Sequence, residues 1–75
     1  MTLEEKLLEL IKNHEEDSAL KLLHENYNSI DLNKEVNMRV PIFSAINEKM
    51  YKLTIAIVSH PHFNPDIEDG FGESF

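Results

Sequence analysis

Four histidines are the residues of this chain best suited to hold a metal or move a proton: His14, His24, His60 and His62. His60 and His62 flank Pro61, and no His-Glu-x-x-His or comparable helical spacing sets any of the four beside carboxylates as a zinc site requires. They read as turn and surface residues. Gly70-Phe71-Gly72 has two glycines but no basic neighbour, because no Lys or Arg follows Lys52, so a hairpin turn suits it better than a phosphate cradle. Carboxylates are plentiful, yet none lies inside an apolar run where burial would raise its pKa for acid catalysis. Ser18, Ser29, Ser44, Ser59 and Ser74 lack the flanking glycines of a nucleophile elbow. The chain is expected to catalyse nothing and to carry no metal or cofactor.

Composition narrows the partners. Fourteen acidic residues against seven basic ones give a formal charge of -7, which repels a phosphate backbone or an anionic membrane surface. The imbalance grows towards the end, where Asp66, Glu68, Asp69 and Glu73 stand without a compensating cation. An acidic mimic of nucleic acid is a remote option, since the carboxylates form no long uninterrupted rows. Without cysteine there is neither a disulfide framework nor a thiolate site, so apolar packing must hold a 75-residue chain together. The start, Met1 to Glu5, lacks the basic and apolar regions of a signal peptide, and no apolar run reaches membrane-spanning length. A cytoplasmic or nuclear setting is the simplest expectation.

The elements that carry these residues repeat. A shift of 35 positions superposes Leu7 on Ile42, Leu8 on Phe43, Leu10 on Ala45 and Ile11 on Ile46, then Leu20 on Ile55, Leu22 on Ile57 and Leu23 on Val58. Each copy is two short apolar segments joined by a polar turn. Thr2 with Glu5 three residues on has the spacing of reciprocal helix capping, and Leu3, Leu7, Leu10 and Ile11 share one face, so a helix is predicted over Leu3 to Lys12. A second helix follows the acidic trio Glu15-Glu16-Asp17 and stops near Asn26, taken as a left-handed terminator. In the second copy Pro41 opens a very short helix through Ile46. Lys52 to Ser59 is rich in β-branched residues, but its superposition on the first copy makes it helical, ended by His60-Pro61. Tyr27, Tyr51 and Phe63 are expected in the core or anchoring loops.

Between the helix pairs lie Ile30-Asp31-Leu32-Asn33 and Val40-Pro41-Ile42-Phe43-Ser44-Ala45-Ile46. These resemble the ankyrin repeat, with its Asp-Val-Asn hairpin stretch and its Thr-Pro-Leu-His-hydrophobic-Ala-Ala helix opening. Pro41 and Ala45 match, Val40 stands for the threonine, Phe43 for the histidine, and Met38 for the turn glycine. Phe63 to Ser74 resembles the next hairpin, with Gly72 at the turn glycine. A tetratricopeptide reading has a similar period but does not account for the extended Asp-Leu-Asn segment.

The resemblance implies an all-α, ankyrin-type helix-turn-helix solenoid with extended hairpin loops: unit one about 3–33, unit two about 34–66, and the start of a third at 67–75. It also implies a concave surface of hairpin tips and inner helices that binds a protein partner. Val36, Met38, Arg39, Glu68, Asp69 and Phe71 are the expected contact residues, the acidic pair steering a basic surface. A rival from another class makes the chain the amino-terminal cap of a longer solenoid, or a structural protein that self-associates through its open carboxy-terminal face.

Overall fold

A computed structural model describes residues 2–68 together with Gly70 and Gly72. The described residues are all-α, with four helices, α1 (Leu3–Lys12), α2 (Glu16–Glu25), α3 (Pro41–Asn47) and α4 (Tyr51–Val58), and no strand; an isolated bridge pairs Val36 with Arg39. Consecutive helices pair, α1 with α2 and α3 with α4, and the second pair lies on the first through α1 against α3 and α2 against α4.

Local chemistry accounts for the ends. The Thr2 hydroxyl accepts the Glu5 amide at 3.1 Å, and the Glu5 carboxylate accepts the Thr2 amide at 3.1 Å, so both exposed donors at the start of α1 are satisfied. Pro41 opens α3 as the first helical residue. Asn26 departs from expectation: its backbone is not left-handed (φ -120°), because its own side-chain amide and backbone amide both donate to the Leu22 carbonyl and finish α2 directly. In α4, burial of Leu53 and Ile57 overrides the strand preference of the β-branched run.

The 35-residue offset extends to the hydrogen bonds. Glu15 N donates to Leu10 O, and Met50 N to Ala45 O, each at 2.9 Å; His14 N donates to Ile11 O, and Lys49 N to Ile46 O, each at 3.0 Å. The residues that turn the chain, His14 (φ 60°) and Lys49 (φ 58°), are both left-handed. One three-residue connection is therefore used twice.

Side chains tie the pairs together. Glu16 Oε2 on α2 accepts the Leu53 amide in the first turn of α4 at 3.3 Å, where Met50 offers no side-chain cap. Glu4 is buried although it lies in no apolar run of the sequence. Its side chain accepts the Asp31 amide at 3.1 Å and faces Lys34 Nζ at 3.6 Å, fixing α1 to the loop that leaves α2. His60 is likewise buried rather than superficial. Nε2 lies 2.7 Å from the Tyr27 carbonyl, Nδ1 accepts the His62 amide at 3.1 Å, and the ring packs on Tyr27. A neutral imidazole protonated on Nε2 satisfies both bonds. Phe63 is buried and Tyr27 half-buried, whereas Tyr51 points to solvent, against the expectation of a core residue.

The two ends of the stack differ in polarity. Leu53 and Ile57 on α4, with Pro41 and Ala45 on α3, are buried in the second pair. The positions 35 residues earlier are Lys6, Leu10, Ser18 and Leu22, which with Lys21 and Glu25 line an outer groove of the first pair, so two of the four apolar positions are polar there. Ile11 and Leu23, each 1% exposed, are covered in the stack; their counterparts Ile46 and Val58 are 40% and 37% exposed.

Candidate interaction surface

Between the helix pairs the chain makes a tight hairpin. Val36 N donates to Arg39 O at 2.8 Å and Arg39 N to Val36 O at 3.0 Å, leaving Asn37 and Met38 as a two-residue turn. Both turn residues are left-handed, at φ 52° and 68°. Such a turn suits Asn followed by Gly, because a Cβ is crowded in this conformation. Asn37 fits; Met38 carries a side chain where glycine would be relaxed, and that side chain is 49% exposed. The next loop leans on the same turn, for the Gly70 amide donates to Met38 O at 2.9 Å. A Cβ at Gly70 would strike the Cα and Cβ of Met38, so this approach requires glycine.

The hairpin forms one wall of a groove of about 600 Å³, whose floor is α1 and the end of α3. Leu8, Ile11 and Val36 supply apolar surface, Lys12 and Arg39 positive charge, and Glu5, Glu9 and Glu48 negative charge. His14 Nε2 lies 3.1 Å from Glu48 Oε2 and bridges the two inter-helix turns. The Glu5 carboxyl is held below its ordinary value of 4.5, first by the Thr2 backbone amide and then by the Thr2 hydroxyl, so it stays ionised at this rim. With both signs of charge around an apolar strip, the groove suits an extended polar segment better than a small apolar ligand.

Of the expected contact residues, Val36, Met38 and Arg39 are brought together on this hairpin, Val36 and Arg39 facing the groove. Glu68 is exposed on the loop that reaches Met38 through Gly70. Asp69 and Phe71 lie outside the described residues. Leu8, Asn37, Ser44, Asn47 and Glu48 also line the groove and were not singled out from sequence. A signal for three of them was present: Glu9, Lys12 and Asn13 fall on Ser44, Asn47 and Glu48 at the 35-residue offset, so polar positions recur on the inner helices as the apolar ones do.

Among the described residues, no three His, Asp or Glu side chains converge as metal ligands, and no helix is long and apolar enough to cross a membrane. Comparison of the chain with protein-family models, with curated proteins and with solved structures finds no match.

Proposed function

We propose that the chain is an ankyrin-type protein-interaction module without catalytic activity, and that it binds an extended segment of another protein along the groove between the Val36–Arg39 hairpin and helices α1 and α3. The observation that carries this reading is Met38: a large apolar side chain, half exposed, kept at a left-handed hairpin tip where glycine would be more relaxed. A backbone cost at an exposed tip is intelligible if the side chain contacts something outside the chain. Two helix pairs in one stack, each closed by the same three-residue turn and separated by a projecting hairpin, support the ankyrin-type description.

Selection of binding peptides from a displayed library, with the 75-residue chain as target, supplies a probe. Met38 stands at the hairpin tip beside the groove and not in its lining, so Met38→Gly, which keeps the turn and removes the side chain, should weaken binding of the selected peptide about threefold or more. Arg39→Ala should weaken binding as well. Equal affinity for all three proteins would remove the proposed site.

A second reading has its own observation. On the outer face of the first helix pair Lys6, Ser18, Lys21 and Glu25 surround Leu10 and Leu22, and polar residues of this kind are what the terminal unit of a helical array needs for solubility. On this reading the first pair is an end cap.

A further inference from the structure

The uncovered face of the second helix pair is the strongest feature that the groove does not use. Tyr51, Ile55 and Val58 follow at steps of four and three on α4, which places them along one line of the helix. Tyr51 is 68% exposed and Ile55 64%. At the corresponding place on α2, Glu16, Leu20 and Leu23 face the second pair: Leu23 is buried, Leu20 is packed against the core, and Glu16 holds the Leu53 amide. The stripe on α4 therefore continues a surface that the molecule itself covers one pair earlier.

We propose that this face binds the same face of a second copy of the chain, giving a twofold dimer in which α4 packs against α4 of the other molecule. Three observations favour that occupant. First, charge: α1 carries Glu4, Glu5 and Glu9, and α2 carries Glu16, Asp17 and Glu25, whereas α3 and α4 contain no Asp or Glu. No carboxylate occurs from Lys49 to Pro65, so in a chain of charge -7 this face brings two copies together with the least repulsion. Second, the ends do not match head to tail. Stacking the first pair of one copy on the second pair of another would press Lys6, Ser18 and Lys21, which surround Leu10 and Leu22 in the outer groove, against Ile46 and Val58, taking charged and hydroxyl groups out of water. Third, Tyr51 stands where Glu16 stands in the first pair. The carboxylate that caps the next helix in the internal stack is replaced by a phenol, which lacks the charge favoured at a helix start. A further pair in the internal geometry loses that tie, while an aromatic flanked by aliphatic side chains is self-complementary across a twofold axis.

Sedimentation equilibrium of the 75-residue chain over a range of concentrations tests the proposal. A reversible monomer-dimer equilibrium is expected, and Ile55→Lys should weaken it about tenfold or more while leaving the far-UV circular dichroism unchanged. The chain has no cysteine, so Ile55→Cys adds a single thiol near the expected axis, and a thiol-specific crosslinker should give covalent dimers that Glu9→Cys does not. A monomer at every concentration would overturn the proposal. So would association that continues past the dimer, or a dimer indifferent to Ile55→Lys. Because the groove lies on the hairpin side, loss of peptide binding by Met38→Gly and loss of dimer by Ile55→Lys are expected to be independent.

Discussion

Asn33 Oδ1 accepts the Asn64 backbone amide at 2.8 Å, while Asn33 Nδ2 donates to the His62 carbonyl at 2.6 Å. One side chain in the loop between α2 and α3 thus holds two backbone groups of the segment that follows α4. Asn64 Oδ1 in turn accepts the Asp66 amide at 3.0 Å, much as Asp31 Oδ1 accepts the Asn33 amide at 2.9 Å.

Removing both bonds with Asn33→Ala should cost about 1–2 kcal/mol, the sum expected of two partly exposed hydrogen bonds. Asn33→Asp keeps the acceptor, loses the donor to His62 and should fall between Ala and the parent. Urea denaturation of the three proteins gives the order, and equal stability of Ala and parent would show that the clamp contributes nothing.

Glu16 is the cross-pair cap of α4. Glu16→Gln retains an acceptor for the Leu53 amide and should lose less than about 0.5 kcal/mol, whereas Glu16→Ala should lose about 1 kcal/mol. Amide exchange locates the effect: Leu53 N-H should exchange faster in Glu16→Ala, with α1 amides little changed apart from any global loss of stability.

Met38 separates stability from binding. Met38→Gly should leave stability within about 0.5 kcal/mol of the parent or raise it, since relief of left-handed strain offsets the greater freedom of the unfolded chain. Met38→Val puts a β-branched residue in the same conformation and should cost more than about 1 kcal/mol. Thermal unfolding of both variants tests the order; a Gly variant less stable than the Val variant would contradict the turn geometry described.

Glu5 sets a pH dependence at the start of α1. Its carboxyl is lowered in the folded chain, so its contribution is present above the ordinary value of 4.5 and fades as pH falls through the folded value. Thr2→Ala removes the hydroxyl but not the backbone donor, and should move the Glu5 titration, followed by NMR of the side-chain carboxyl, part of the way back towards 4.5.

Much of this arrangement is legible in the residues. Thr2 and Glu5 mark the start of α1, Pro41 marks α3, and the 35-residue offset carries α4 through a run that looks like a strand. The offset says less about exposure. Ile11 and Ile46 are both isoleucine, and only the order of stacking makes one buried and the other open. The burial of Glu4 and His60 leaves no mark in the sequence because each is satisfied by backbone groups of a distant loop, Asp31 for one and Tyr27 for the other. A carboxylate or imidazole bonded to backbone needs no complementary side chain, and so leaves no pattern of residue types. A hairpin that carries Val36, Met38 and Arg39 is what the resemblance implies; the groove beside them depends on how α1 and α3 lie together.

The doubled turn at His14 and Lys49 bears on the order of folding. Each helix meets its first partner across three residues, so a pair can close before any long loop is paid for in entropy. The ties that span the chain, Glu16 to Leu53 and Asn33 to Asn64, are left for a later step. Substitutions at these ties should therefore accelerate unfolding and barely slow folding, while substitutions inside a pair, such as Ala45→Gly, should slow folding itself.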